Sequence, residues 1–198
     1  VNVKKLVTHR FPIERATEAY ELISGKSGEP FLGVVLTYGG EGAAQKTVEL
    51  ASEPAKASGG CGIGFVGAGA FATGVLVPAF AKAQGSRLVS IASGRGVTAR
   101  HLAQKFAFAA ATSSLDEIVK DVRVDAVVLA TRHHLHAAQA VAALEAGKHV
   151  FVEKPLSLRL EDLSRIQEAL TESPGLLMVG FNRRFDPGVV ELKQRLDA

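Results

Sequence analysis

The stretch "IGFVGAGAFATG", residues 63–74, constrains the fold more than any other part of the chain. A short apolar run, "IGFVG", leads into Gly67, Gly69 and Ala72, which fit G-x-G-x-x-G/A at the start of a helix. Each position has a physical task. Gly67 permits a tight turn, Gly69 lets the backbone approach a pyrophosphate, and Ala72 keeps helix and strand close together. The helix start, with Ala70 and Phe71, offers free N–H groups and the positive end of its dipole to phosphates. A turn that holds no ligand can carry the same short motif, so its context decides. From Gly62 onward, short apolar runs alternate with helical segments, as in a parallel sheet covered by helices on both faces. The expected strands are "IGFVG", "RLVSIA", a short "FAFA", "AVVLAT", "HVFVE" and "LLMVGF". Ser114 and Glu117 have capping-box spacing, Gly147 stands where a helix C-cap favours positive φ, and Pro78 should kink or shorten the first helix. The fold class read from this is α/β, a Rossmann-type doubly wound parallel sheet with a short N-terminal helix-strand appendage.

That appendage is residues 1–38. Ile13, Ala16, Tyr20 and Ile23 recur at helical spacing after Pro12, and "FLGVVLTY" reads as a strand, giving one helix and one strand with no sheet to join. Residues 39–60, rich in Gly, Ala, Ser and Lys, read as a linker. The nucleotide-binding domain is placed at 61–181. The chain starts at Val1, its only methionine is Met178, and its last residues look like a helix still running, so a piece of a larger polypeptide is expected.

Composition narrows the function classes. With 198 residues, 47% of them hydrophobic, the chain can bury a real core. Its 23 basic and 20 acidic residues nearly balance, without the basic runs and interleaved aromatics of nucleic-acid binders, so no nucleic-acid partner is expected. No apolar stretch reaches the roughly 18 residues needed to span a bilayer, and the N-terminus lacks the apolar core of a signal peptide. No membrane partner and a cytoplasmic location follow. The lone Cys61 excludes internal disulfides and a cysteine-rich zinc lobe.

Cofactor preference should be written at the end of the second strand, where an acidic side chain would bind the ribose 2′-OH. Between Glu53 and Asp116 there is no Asp or Glu, and the strand ends in "IASGRG" with Ser93, Gly94 and Arg95. A hydroxyl, a permissive backbone and a guanidinium suit a 2′-phosphate better than a ribose diol, which points to NADP with NAD as the alternative. Arg95 as a solvated loop residue, in a site that accepts both, is the competing reading.

Two further strand ends should face the same crevice. "AVVLATRHHLH" brings Ala130, Thr131, Arg132, His133, His134 and His136, and "HVFVEKP" brings Glu153, Lys154 and Pro155. Three histidines in four positions raise a metal site, but no carboxylate or cysteine stands near them in sequence, so none is expected. A surface histidine cluster without function stays open. Lys154 can donate to a substrate hydroxyl or carbonyl while hydride moves, with Glu153 holding its orientation, or can simply be solvated.

The run from Ile63 to about Pro187 resembles the N-terminal domain of the glucose-fructose oxidoreductase, inositol dehydrogenase and MocA family. The resemblance rests on "GFVGAGAFATGVLVPAF", "VDAVVLATRHHLHAAQAVAALEAGKHVFVEKPLSL" and "MVGFNRRFDP", in order and at family spacing. It implies NAD(P)-dependent oxidation or reduction of sugars, nucleotide sugars, inositols or related polyols. Lys154 matches the family lysine near the nicotinamide and is the candidate catalytic residue. Glu153 is its neighbour, and His136 matches the histidine after the fourth strand. "VSIASGRG" is similar to NADP-preferring members, whereas Arg132 and His133 stand where many members have Pro and Asn. The resemblance also implies that a substrate domain follows, so residues 182–198 are expected to begin a truncated second domain. The fragment by itself is then expected to bind cofactor and turn over slowly or not at all. Residues 1–38 look like the C-terminal tail of a zinc-type medium-chain alcohol dehydrogenase without its zinc ligands, and the chain is read as a fragment of a bi-domain oxidoreductase. His9 is not a ligand in this reading. The alternative function is a non-catalytic nucleotide-binding regulatory or sensor module.

Overall fold

The computed structural model of the chain describes residues 3–38, 46–50, 60–94 and 96–197; Arg95 and residues 39–45 and 51–59 of the expected linker lie outside them. Two compact units divide the chain, Val1–Gln45 and Lys46–Ala198.

In the first unit, β1 (Val7–Pro12) precedes α1 (Ala16–Ile23) and pairs in parallel with β2 (Gly33–Thr37). The expected lone strand therefore has a partner. In β1 Val7, His9 and Phe11 are half-buried while Thr8, Arg10 and Pro12 face out, a period-2 pattern hidden by its polar residues. The helix buries Ala19 and Leu22, whereas Tyr20 and Ile23 of the expected apolar face are 64% and 46% exposed. The helix starts only at Ala16, and the face laid on β1 and β2 is turned by one residue from the one expected. His9 Nε2 lies 3.1 Å from Glu29 Oε1 and Nδ1 2.9 Å from Thr8 Oγ1.

The second unit runs β3 (Thr47–Glu49), β4 (Cys61–Val66), α2 (Val77–Lys82), β5 (Ser86–Ala92), α3 (Gly96–Phe106), β6 (Ala110–Thr112), α4 (Leu115–Lys120), β7 (Ala126–Leu129), α5 (His136–Glu145), β8 (His149–Glu153), α6 (Leu160–Glu172), β9 (Leu177–Gly180) and α7 (Pro187–Leu196). They build one seven-stranded sheet in the order β3-β6-β5-β4-β7-β8-β9, parallel except for β3 against β6. β4 is buried along five of its six residues, as a central parallel strand must be. One face packs Ile118, Leu129, Leu144, Val152 and Ile166 beneath α4, α5 and α6, and the other packs Phe65, Val77, Ile91, Leu102 and Phe108 beneath α2 and α3.

Local differences from the sequence reading have physical causes. "FAFA" is not a strand: Phe106 ends α3, Ala107 turns left-handed at φ 57°, and Phe108 N–H reaches back to Ala103 O (2.9 Å), so the ladder begins at Ala110. Residues 47–49, within the expected linker, form β3 against the edge of β6. Ser114 is the N-cap of α4 but its side chain makes no capping bond; its own N–H donates to Thr112 Oγ1 at 3.2 Å. Gly147 does close α5 at φ 72°, with Lys148 N–H on Ala143 O (3.0 Å) and its own N–H on Leu144 O (2.8 Å). Pro78 follows a π-helical turn at Ala72–Leu76, closed by Val77 N–H on Ala72 O, and stands in the first turn of α2, where a missing N–H is tolerated.

Opposite the strand ends that matter for function, Arg123 clamps the base of the sheet. Its guanidinium meets Asp121 at 2.7–3.0 Å and Glu49 of β3 at 2.9 and 3.1 Å, while Lys148 Nζ caps Asp121 O (3.1 Å) and Val124 O (2.7 Å). Burial pushes the Asp121 carboxyl up, but hydrogen bonds from the Arg123 side chain and N–H, with the charges of Arg123 and Lys148, carry it below its ordinary value. A lowered folded-state value stabilises the fold above the unfolded value, about pH 3.9, and the gain is lost as pH falls through the folded one. Asp121→Asn should therefore cost about 1–2 kcal/mol in urea unfolding at neutral pH. The gap to the parent chain should close below about pH 4; a gap that persists there would refute the assignment.

Candidate functional site

β4, β5, β7, β8 and β9 are mutually parallel, so their carboxyl ends open on one edge of the sheet. The chain goes from β4 to β5 on one side and returns to β7 on the other, which leaves a crevice between the loops after β4 and β7. Gly67 sits there at φ 109°, and a Cβ on it would fall 2.4 Å from Ala130 O. Only glycine allows this turn to press against the end of β7. Gly69 is the opposite case: a Cβ there would meet nothing within 4 Å, so its backbone faces open space. A helical run starts at Ala70, with Thr73 N–H on Gly69 O at 3.0 Å, and the N–H groups just before Thr73 have no intrahelical acceptor.

Two lobes flank this turn and meet at Gly69, Ala130 and Thr131. One, of about 850 Å³, is lined by Gly67, Ser93, Gly94, Thr98, Ser113, Arg132, His134 and Gln139 among others, with no carboxylate in its lining among the described residues. The other, of about 690 Å³, is lined by Ala70, Phe71, Ala72, His133, Glu153, Lys154 and the segment Phe181 to Arg184, with His136 behind it. The site residues expected from the sequence, apart from Arg95, thus gather around one crevice.

Three of them differ in detail from expectation. His136 is 0% exposed, with a carbonyl against each ring nitrogen; Nδ1 lies 2.8 Å from Pro155 O and Nε2 3.1 Å from Thr131 O. It ties the end of β7 to the cis peptide after Lys154 from within the wall. Glu153 and Lys154 line the same lobe without a hydrogen bond or ion pair between them, and the Glu153 carboxylate lies against Gly180, where a Cβ would be 2.8 Å from Oε1. Lys154 itself is exposed and makes no hydrogen bond or ion pair among the described residues. The histidines separate, His133 to one lobe and His134 to the other, and no group of three His, Cys, Asp or Glu able to hold a metal occurs among the described residues. Among the described residues, no helix is long and apolar enough to cross a membrane.

Sequence reading missed the wall after β9, Phe181, Asn182, Arg183 and Arg184, and the support of Thr131, whose hydroxyl donates to Gln139 Oε1 at 2.5 Å. The position of "FNRR" directly after an apolar strand run was the available signal for the first. Gln139, one helical turn inside α5, gave none.

Residues 61–181 match the model of the Gfo/Idh/MocA oxidoreductase family, NAD-binding Rossmann fold. The chain is 36% identical over 137 residues to an inositol 2-dehydrogenase/D-chiro-inositol 3-dehydrogenase of Shouchella clausii, covering 68% of this chain and 40% of that protein. It is 34% identical over 114 residues to the scyllo-inositol 2-dehydrogenase (NAD(+)) of Bacillus subtilis, covering 58% of this chain and 33% of that one. Among solved structures, a 3-ketoreductase from Actinomadura kijaniata in complex with NADP matches with TM-score 0.65 and 28% identity, over 70% of this chain and 44% of that chain. The myo-inositol dehydrogenase of Lactobacillus casei, in complex with NAD(H) and myo-inositol, matches with TM-score 0.65 and 29% identity, over 70% of this chain and 41% of that chain. The chain spans 31% to 40% of the length of the first curated relatives it matches.

Proposed function

The chain belongs to the Gfo/Idh/MocA oxidoreductase family, and on that premise we propose that it binds a nicotinamide dinucleotide for hydride transfer at a hydroxyl or keto carbon of a sugar, nucleotide sugar or polyol. The observation that carries this reading is the pair of lobes meeting at Gly69, with open space over the turn and, in one lobe, Lys154 with no partner among the described residues. Such a shape fits a ligand with two bulky ends joined by a phosphate bridge. When bound, the cofactor supplies the hydride. The chain's own residues divide the remaining work. Gly67 to Ala72 hold the pyrophosphate, Ser93 to Arg95 the adenosine end, and Ala130, Thr131 and His133 the nicotinamide side, with His136 fixing that wall from behind. Lys154 holds a proton at the reacting oxygen.

NADP is the preferred cofactor in this proposal. A lobe with Ser93, Gly94 and Arg132 and, among the described residues, no lining carboxylate suits a phosphate, for which it offers a cation, better than a ribose diol. Residues 61–181 are read as the nucleotide domain and 182–198 as the start of a substrate domain. Residues 1–38 are read as a medium-chain-dehydrogenase tail, a reading supported by the separate compactness of the first unit. Fluorescence titration with NADPH and NADH, on the parent chain and on Arg95→Ala, tests the cofactor. The expected result is a preference for NADPH of about 10- to 100-fold that shrinks in the variant. Equal binding of both would retire the NADP assignment, and binding of neither would overturn the function.

A further inference from the structure

Thr131, which follows the end of β7 and lines both lobes, is gripped twice by one face of α5. Its carbonyl oxygen lies 3.1 Å from His136 Nε2, and its hydroxyl donates to Gln139 Oε1 at 2.5 Å. His136 and Gln139 stand three positions apart in the helix and therefore project from the same side of it. Gln139 is the one polar side chain from Ala137 to Leu144, a stretch otherwise made of Ala, Val and Leu. The direction of its bond decides what Thr131 can offer a ligand. A hydroxyl carries one hydrogen and two lone pairs. With the hydrogen committed to Gln139, the oxygen turns only lone pairs toward the crevice, and the stiff χ1 of a β-branched residue keeps it there. A pyrophosphate has acceptors alone, so it fits the N–H groups of the turn at Gly69 and not this oxygen. Between the two ends of a dinucleotide, the groups that donate are the ribose hydroxyls.

We propose that Gln139 is a positioning residue of the cofactor site: by holding the Thr131 hydroxyl hydrogen it fixes an acceptor where the lobes meet, and that acceptor takes a hydroxyl of the nicotinamide ribose. The inference rests on the function proposed above and adds to it a residue that acts through Thr131. A hydroxyl of the adenosine ribose is the other source of the same chemistry.

The test is equilibrium binding, to the full chain and its variants, of 2′-phospho-ADP, which ends at the pyrophosphate, of 2′-phospho-ADP-ribose, which adds the second ribose, and of NADPH. The series ADP, ADP-ribose and NADH takes their place if the parent chain binds NADH more tightly. Gln139→Leu keeps a side chain of similar bulk and removes its acceptor. It is expected to weaken NADPH and 2′-phospho-ADP-ribose alike by about three- to tenfold, the range for one neutral hydrogen bond, and to leave 2′-phospho-ADP within about twofold. Thr131→Val should do the same, and Gln139→Leu placed on top of it should add no further loss, since both remove one contact. Thr131→Ser, which keeps the hydroxyl, should stay within about twofold of the parent and lose that affinity once Gln139→Leu is added. An equal fall for 2′-phospho-ADP overturns the assignment, by giving the contact to the adenosine half or to the shape of the lobe. Additive losses in the double variant overturn it as well. Unchanged binding in Gln139→Leu, with a parent chain that binds NADPH, removes this inference alone, whereas a parent chain that binds none of the probes overturns the proposed function and this inference with it.

Discussion

Gly69→Val is expected to fold like the parent chain and to bind cofactor at least about 100-fold more weakly, while Gly67→Val loses stability as well as binding. The two glycines stand two residues apart and fail for different reasons. At Gly69 a side chain meets nothing in the protein within 4 Å, so folding is untouched and the methyl groups occupy the space over the turn. A phosphate pushed off the backbone N–H groups forfeits charge-assisted bonds worth about 1.5–3 kcal/mol each, and two such bonds suffice for the stated loss. At Gly67 the new Cβ falls 2.4 Å from Ala130 O and 2.9 Å from Thr131 N, at a φ of 109° that a β-branched residue does not adopt. Backbone strain of about 1–3 kcal/mol adds to that clash, for a total of roughly 3 kcal/mol or more. For a unit of this size the melting temperature should fall by roughly 6–12 °C. Thermal melts beside NADPH titrations separate the two. Undiminished NADPH binding by Gly69→Val would place the pyrophosphate elsewhere.

His136→Ala should destabilise the second unit by about 3–5 kcal/mol. The ring is fully buried with a carbonyl against each nitrogen, Pro155 O and Thr131 O; a neutral ring donates to one of them, so removing it opens a cavity and strands that carbonyl. Cavity formation and unpaired buried acceptors each contribute about 1–3 kcal/mol. His136→Phe separates these parts, since it restores most of the volume and leaves the carbonyl served by the ring N–H without that donor. It should recover about half the loss in urea unfolding. Cofactor affinity should drop in both variants, because the ring holds the loop after β7 to the loop after β8 around Lys154. A variant with parental affinity would show that this tie has no bearing on the crevice.

Legibility in the sequence followed the kind of constraint involved. The turn at Gly67 was readable because a steric necessity leaves one residue type at a fixed distance from an apolar strand. β4 and β7 were readable because burial on both faces makes their runs almost continuously apolar, and β5, β8 and β9 because short apolar runs stand between helical segments. β1 was missed because Thr8, Arg10 and Pro12 dilute its alternation, and β6 was displaced because "FAFAAAT" offers several apolar triplets and only the burial of Phe108 selects one. At the crevice, position after a strand identified Lys154 and Thr131, but the use of a side chain depends on contacts distant in sequence. His136 bonds to a carbonyl 19 residues away, which no local pattern announces. The wall formed by Arg183 and Arg184 likewise depends on β9 lying beside β8.

The short strand β3 has a bearing on how the protein keeps company with itself. Three rungs, Thr47 on Thr112, Val48 on Ala111 and Glu49 on Ala110, with the Glu49–Arg123 fork, cover the row of backbone donors and acceptors along β6. An uncovered row of that kind is a template for another chain. A version trimmed to start at Cys61, which a reading of 39–60 as mere linker would invite, would keep the nucleotide crevice and gain a sticky flank, so its shelf life in concentrated solution, more than its chemistry, would reveal what the strand was for.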